Sequence, residues 1–124
     1  MATAVVTKIK RTEIIKHRAL AVLEQGGICP LCEQHLELKD AVLDHRHSDG
    51  LIRSAIHRFC NTFLGKIENN IKRNRIQPQQ LTAILKNYEK YVSTTKPLLH
   101  PTFLTPEERK AKAKKRAAKT RKKK

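Results

Sequence analysis

Three cysteines and one histidine in this sequence follow the spacing Cys-x2-Cys-x24-His-x2-Cys, formed by Cys29, Cys32, His57 and Cys60. The set includes every cysteine of the chain. Three thiolates and an imidazole are typical ligands of a closed tetrahedral zinc site. Each pair is close enough in sequence to bind one ion from a single turn or helix start. The pattern therefore predicts a structural zinc that joins a cysteine turn to a second segment.

A redox-active Cys-x-x-Cys is the alternative interpretation of Cys29 and Cys32, with His57 and Cys60 as ordinary buried residues. Such a motif lies in a thioredoxin-like βαβ unit, and the sequence has no pattern of that kind. A disulfide framework is unfavourable as well, because three cysteines cannot all pair within one chain. A zinc clamp would help to stabilise the small core that a chain of 124 residues can bury.

The chain is strongly basic, with 27 Lys+Arg against 11 Asp+Glu and a formal net charge of +16. The segment Arg109–Lys124 contains 11 of the basic residues and no acidic one, so the rest of the chain carries 16 minus 11, or +5. A polyanion is the expected partner. Nucleic acid is the first candidate and an anionic membrane surface the second, because the basic segment has no apolar face.

Hydropathy argues against a membrane protein. No apolar run approaches the roughly 18 residues of a membrane span. Residues 1–10 also lack the apolar stretch and cleavage site of a signal peptide. We therefore expect a soluble, intracellular protein without a membrane partner.

The periodicity of apolar residues predicts a small α+β protein. A helix over Thr12–Gln25 stops at two glycines, and a β-hairpin comes next, with strands at Ala41–Leu43 and Leu51–Ile56. Helical spacing returns from about His57 to Asn70. The predicted organisation is an N-terminal arm (1–11), a zinc-bound domain (12–76), an amphipathic helix (77–96) and a basic tail (97–124).

The last two segments have distinct sequence signals. Pro78 suits a first helical turn, and apolar residues from Leu81 to Val92 form one stripe, in which Tyr88 and Tyr91 suit core or dimer contacts. Thr105 and Pro106 resemble a helix start. The residues after this start have no apolar face, so we expect a tail that is disordered in isolation and helical when phosphate neutralises its charge.

Four polar residues lie within or beside the predicted zinc clamp. Asp44 and Asn61 offer hard oxygen ligands of the kind that Mg²⁺ or Mn²⁺ prefers. His45 is a candidate general base, because an imidazole can take a proton from a water attacking phosphorus, and His47 lies two residues later. A base, a Lewis acid and a positive surface together suit phosphodiester hydrolysis.

In this order the motifs resemble the recombination endonuclease VII family, phage junction-resolving enzymes among the HNH or ββα-metal (His-Me finger) nucleases. The resemblance covers about Ile14 to Ile71. The matching segments are Cys29-Pro30-Leu31-Cys32, Leu43-Asp44-His45-Arg46-His47, Gly50-Leu51-Ile52-Arg53-Ser54, His57-Arg58-Phe59-Cys60-Asn61 and Leu64-Gly65.

The resemblance implies a role for each matching polar residue. Asp44 and Asn61 would bind the catalytic Mg²⁺, and His45 would be the general base. His47 would assist at the scissile phosphate or the leaving group. The three cysteines and His57 would hold the structural zinc.

Three positions depart from the family pattern. His57 stands where the family usually has a third cysteine, and imidazole is an equally suitable zinc ligand. Leu64 stands where the junction resolvases tend to carry a glutamate of the catalytic site, and Val42 where they often have another histidine. The resolvases are also dimers with a long C-terminal helical region, which the stripe from Leu81 to Val92 could supply.

Basic residues flank the predicted site, and we expect them to hold DNA phosphates beside the cut. The basic tail would bind the DNA backbone without reading sequence, by counterion release. The flanking residues are Arg46, Arg53, Arg58, Lys66, Arg73 and Arg75.

The predicted function is a Mg-dependent DNA endonuclease acting on branched DNA such as Holliday junctions, as a homodimer. The family implies the cytoplasm of an infected bacterial cell as its location. Two alternatives differ from it: a general nicking or homing-type HNH endonuclease, and a non-catalytic zinc-dependent nucleic-acid-binding module. Loss of cleavage on replacing His45 by alanine separates an enzyme from a binding module.

Overall fold

The computed structural model describes residues 5–123, and it confirms the mixed α+β class predicted from the sequence. Residues 1–4 of the predicted N-terminal arm lie outside this range. The described part forms two compact units whose boundary falls between Thr82 and Ala83. The elements are α1 (Ile14–Glu24), β1 (Ala41–His45), β2 (Ile52–His57), α2 (Arg58–Asn74), α3 (Pro78–Ser93) and α4 (Pro106–Lys122).

The hairpin contains an irregularity in strand pairing between Asp44 and His45. Strands β1 and β2 pair antiparallel, with Asp44 opposite Ser54 and His45 opposite Ile52. Arg53 is therefore an extra residue of β2 that has no direct partner in β1. Such a bulge bends the strand and re-aims its side chains. The hairpin closes through Gly50, whose φ of 76° favours glycine.

The buried core is small and includes the cysteines. Two of its six apolar members are Cys29 and Cys60, at 0% and 4% exposure. The zinc-ligand cluster is therefore part of the core rather than an attachment to its surface. The other buried apolar residues of the described chain are Leu36, Ala41, Ala55 and Ile56, and Ala21, Val22, Cys32 and Leu64 pack against this core.

The amide of Gln25 ties the end of α1 to β2. Its Nε2 donates to the carbonyl of Ala55 at 2.8 Å, and its Oε1 accepts from the amide of Ala55 at 2.8 Å. Strand β2 pairs with β1 on one side, so this amide satisfies the backbone of the other edge as a neighbouring strand would. Gln25 thus holds the hairpin on the first helix.

The basic tail differs from the sequence expectation, because residues Pro106–Lys122 form helix α4 rather than a disordered segment. The predicted helix start is present: the hydroxyl of Thr105 accepts from the amide of Glu108 at 3.2 Å. Beyond this cap the sequence consists mainly of alanine, lysine and arginine, which have high helix propensity. Basic residues of the last turn also interact favourably with the helix dipole.

The structure contains no helix in residues 5–123 that is long and apolar enough to cross a membrane.

Candidate metal centre and active site

The four predicted zinc ligands converge. One ligand atom from each of Cys29, Cys32, His57 and Cys60 lies within 4.8 Å of the others. The sulfurs of Cys29 and Cys60 are 4.0 Å apart, and the Nδ1 of His57 is 3.3 Å from the sulfur of Cys32 and 3.9 Å from that of Cys60. A tetrahedral zinc requires edges of about 3.5–3.8 Å from its bond lengths. The cluster can therefore hold a structural zinc.

Two local structures present these ligands. Cys29 and Cys32 lie on a turn that is closed by hydrogen bonds from the amide of Glu33 to the carbonyl of Cys29 (2.8 Å) and from the amide of Cys29 to the carbonyl of Gln34 (2.9 Å). The other two ligands are His57, which ends β2, and Cys60, which lies in the first turn of α2. The cluster thus joins the cysteine turn, the hairpin and the second helix.

A backbone contact selects the histidine nitrogen that faces the sulfurs. The Nε2 of His57 lies 2.8 Å from the carbonyl oxygen of His35 and donates to it. The proton is thereby held on Nε2, and Nδ1 has its lone pair directed into the cluster. Zinc-binding histidines commonly have such a second contact, which orients the ring and increases its basicity.

The electrostatics of the cluster favour a bound cation. Burial opposes ionisation of Cys29, but hydrogen bonds from the backbone of Cys32 and His57 outweigh it and lower the pKa of the Cys29 thiol to about 6. Burial, followed by contacts with the other two sulfurs, raises the pKa of Cys60 to about 12. Burial, and then the neighbouring sulfurs, thus oppose ionisation of Cys60. A zinc ion balances three thiolates at once, so the donor set suits it.

Asp44 is the buried acidic side chain of the candidate active site. It lies in β1 at 5% exposure, and the bulge residue Arg53 binds it in two places. The Nε of Arg53 donates to Oδ2 at 2.6 Å, and its Nη2 donates to Oδ1 at 3.1 Å. The same Nη2 donates to Oε1 of Glu68 on α2 at 3.0 Å. These contacts, with Asp44 first and Glu68 second, raise the pKa of Arg53.

The candidate base lies on the other side of the bulge and is accessible. His45 is exposed, and its ring stacks on that of His47 with centroids 4.9 Å apart. His45 also borders a cleft of about 940 Å³ between the N-terminal arm and the hairpin. The arm contributes Lys8 and Arg11 to this cleft, so one wall is basic. A phosphate backbone could therefore approach His45 from solvent.

Asn61 lies in the first turns of α2, half-buried. It precedes Glu68 by seven residues, or two helical turns, so the two side chains leave the same face of the helix. Leu64, between them on that face, packs against the core. The face of α2 that carries Asn61 is therefore the one connected to the hairpin through Arg53.

The comparisons with known proteins agree with this geometry. A family model described as recombination endonuclease VII matches residues 6–86, which is more than half of the chain. The chain belongs to this family. It is therefore a nuclease, with DNA as its substrate. No curated protein matches the chain.

For this endonuclease VII family member, the structure resolves the environments of the six predicted DNA-binding residues, whose phosphate contacts stay predictions. Arg46 forms an ion pair of 2.6 Å with Asp49 in the hairpin loop, and Arg53 binds the two carboxylates already described. The remaining four are exposed on α2 or at its end: Arg58, Lys66, Arg73 and Arg75.

Two features of the site were missed in the sequence. Glu68 was not considered, although its spacing of seven from Asn61 indicates a shared helical face. Lys8 and Arg11 carried no signal, because only the folded arm brings them beside His45. Two of the three departures from the family pattern are also explained in part, since Leu64 contributes to the core and Val42 is half-buried in β1.

Proposed function

We propose that this protein is an HNH-type endonuclease that hydrolyses DNA phosphodiesters with Mg²⁺ or Mn²⁺, at branched DNA such as Holliday junctions. The observation that carries the proposal is the placement of Asp44 and His45 on either side of a β-bulge, in a hairpin that the cysteine-histidine cluster joins to α2. Bulges are common beside active sites, where they re-aim a side chain, and rigid elements on both sides would hold these residues in place.

Asp44 and Asn61 are the residues that would hold the catalytic cation. Both offer oxygen donors, as Mg²⁺ requires, and water and phosphate oxygens can complete its coordination. A cation bound there neutralises negative charge on the phosphate and on the leaving 3′-oxygen. Asp44 comes from the strand and Asn61 from the helix, so the zinc clamp would set the geometry of the pair.

His45 would act as the general base. Its exposed ring can accept a proton from the water that attacks phosphorus, and the P–O3′ bond then breaks to leave a 5′-phosphate and a 3′-hydroxyl. His47, stacked on His45, would contact the scissile phosphate or supply the proton that the leaving oxygen needs. The basic wall of the cleft would hold the backbone in place.

The basic segments would hold DNA beside this site. The exposed arginines and lysine of α2 could contact phosphates next to the cut, and the basic residues of α4 could also bind the DNA backbone. Such contacts increase affinity without reading sequence, and they weaken steeply with salt. With DNA as substrate, we place the action of the enzyme inside the cell, in the cytoplasm of an infected bacterium.

We also propose that two copies act together, through the apolar stripe of α3. Ile84, Leu85, Tyr88, Tyr91 and Val92 are each more than half exposed. Symmetric incisions across a junction require two sites, and a two-fold dimer supplies them.

The stripe can be tested by sedimentation. We expect the natural protein to sediment as a dimer at micromolar concentration and the Leu85→Glu variant as a monomer, because two glutamates would face each other in an apolar interface. Ala83→Glu, on the side of the helix away from the stripe, is the matched control and should stay dimeric. A natural protein that is monomeric with and without DNA contradicts the dimer.

A general nicking endonuclease is the second candidate, and Leu64 is the observation that favours it. The resemblance would place an acidic catalytic residue there, whereas Leu64 packs against the core. The junction preference of this chain would then need another source, or would be absent.

Cleavage of matched substrates distinguishes the two candidates. We expect a labelled four-way junction to be cut at least about tenfold faster than linear duplexes of the same sequences, which corresponds to about 1.4 kcal/mol of differential transition-state binding. Moderate salt should be used so that the basic tail does not obscure the difference. Equal rates favour the general nuclease, and cuts that recur at one sequence in unrelated duplexes favour a sequence-directed enzyme.

A further inference from the structure

Asp44 is a buried carboxylate, and its charge is balanced by a side chain of the same hairpin. Its side chain is 6% exposed, and Arg53 binds both of its oxygens. A buried carboxylate without a cation is strongly unfavourable, so Arg53 stabilises the metal-free hairpin. The same pairing leaves Asp44 fewer free lone pairs with which to bind a metal ion.

Glu68 holds the guanidinium from the side of the helix. A single nitrogen, Nη2 of Arg53, is 3.1 Å from Oδ1 of Asp44 and 3.0 Å from Oε1 of Glu68. The guanidinium therefore lies between two carboxylates, one on β1 and one on α2. Arg53 retains one anionic partner if it leaves the other. Its side chain is 32% exposed, so it has access to solvent on one side.

We propose that Arg53 is a displaceable cation: it occupies Asp44 in the absence of a divalent ion, leaves Asp44 when the ion binds, and then pairs with a DNA phosphate while Glu68 keeps it at the site. This inference rests on the proposed function, because it takes Asp44 as a metal ligand. It makes metal binding and DNA contact depend on the same side chain.

Charge and shape both support the exchange. A dication on Asp44 repels a guanidinium that stays within hydrogen-bonding distance of the same carboxylate. The planar fork of arginine matches a phosphate as well as it matches a carboxylate, so the released group can bind the DNA backbone in the same bidentate manner. The bulge places Arg53 beside Asp44, between the residue pairs formed by Asp44 with Ser54 and by His45 with Ile52.

The competition between Arg53 and a divalent ion for Asp44 can be tested by Mn²⁺ binding to the zinc-loaded full-length protein without DNA. Free Mn²⁺ is measured by electron paramagnetic resonance. We expect Arg53→Gln to bind Mn²⁺ about tenfold more tightly than the natural protein, a change of about 1.4 kcal/mol. The matched control is Arg46→Gln, which removes an arginine of the same hairpin that pairs with the exposed Asp49. Its affinity for Mn²⁺ should change by less than about twofold.

A measurement on the natural protein covers the case in which Arg53→Gln does not fold. The Nε–H resonance of Arg53, assigned by its absence in Arg53→Lys, should be protected from exchange in the metal-free protein because Nε donates to Asp44 at 2.6 Å. Saturating Mg²⁺ should remove that protection. A resonance that stays protected at saturating Mg²⁺ overturns the proposal.

Replacing Asp44 separates failure of this inference from failure of the proposed function. If Asp44→Asn abolishes Mn²⁺ binding and cleavage, but Arg53→Gln binds Mn²⁺ with natural affinity, the displaceable cation is wrong and the nuclease assignment stands. If Asp44→Asn cleaves DNA and binds Mn²⁺ as the natural protein does, both are wrong.

Discussion

Replacing His45 by alanine is expected to reduce the rate of DNA cleavage by about 10²–10⁴-fold, the usual contribution of a positioned general base. His45 is exposed at the end of β1 and borders the cleft between the arm and the hairpin. Its side chain is not part of the buried core, so the substitution should not affect folding. Cleavage should be followed on a labelled junction under single-turnover conditions, in Mg²⁺.

DNA binding provides the internal comparison for His45→Ala. The variant should bind the junction with natural affinity, because the basic residues that we propose bind phosphates are unchanged. Fluorescence anisotropy at moderate salt measures this affinity. His100→Ala is the matched control, because His100 is an exposed histidine outside the hairpin. This variant should cleave the junction at the natural rate. Cleavage by His45→Ala at the natural rate would show that another group accepts the proton.

Removing zinc should unfold the hairpin and α2 together. Two of the six buried apolar residues in the described part of the chain, Cys29 and Cys60, are candidate zinc ligands, so the core depends on the cluster that the metal would hold together. Zinc contributes roughly 10–16 kcal/mol of apparent binding energy in small zinc-dependent domains, more than the stability expected of such a core. Circular dichroism and thermal melting with a strong zinc chelator should show loss of the cooperative transition, and added zinc should restore it.

Two comparisons establish that the effect belongs to the zinc cluster. Dialysis into Mg²⁺-free buffer should abolish cleavage and leave the melting curve unchanged, because the catalytic cation is bound by an already folded hairpin. Cys60→Ala should behave like the zinc-stripped protein, since it removes one of the four ligands and a buried core residue. A melting curve that a strong zinc chelator does not alter is incompatible with the four-ligand assignment.

The sequence predicted those parts of the molecule that rest on local signals. The cysteine turn, the hairpin and α2 were each indicated by spacing or periodicity, and the ligand pattern then required them to meet. Helix boundaries were close as well, with α1 at Ile14–Glu24 against a predicted Thr12–Gln25. Strand β1 reaches His45, two residues further than predicted, because the bulge continues the pairing past Asp44.

Contacts between distant residues could not be predicted in this way. The bond between Gln25 and Ala55 joins residues thirty positions apart, and neither side chain carries a motif. Arg53 was predicted to contact phosphate as a basic residue flanking the site, but its contacts with Asp44 and Glu68 depend on a bulge that no residue type indicates. A helix in the tail was predicted only after charge neutralisation, because the segment has no apolar face. The Thr105 cap and the helix propensity of alanine, lysine and arginine favour α4.

The proposed exchange of Arg53 would couple metal binding to DNA binding. If the same guanidinium balances Asp44 before metal binding and a phosphate afterwards, the site reaches its active charge distribution only with both cation and DNA present. Such an arrangement would limit unproductive metal binding by the free enzyme. It would also make the Mg²⁺ requirement lower in the presence of junction DNA than in its absence.

The central claim is that the hairpin joined to α2 by the cysteine-histidine cluster is a metal-dependent nuclease site. Single-turnover cleavage of a labelled four-way junction tests this claim. The assay compares the zinc-loaded natural protein, with and without Mg²⁺, with the Asp44→Asn variant. We predict that the natural protein cuts the junction when Mg²⁺ is present and does not cut it without Mg²⁺. The Asp44→Asn variant should not cut it in either condition. Incision that persists in Asp44→Asn, or binding of the junction without incision in either Mg²⁺ or Mn²⁺, would contradict the claim. The second result would favour a zinc-dependent DNA-binding module.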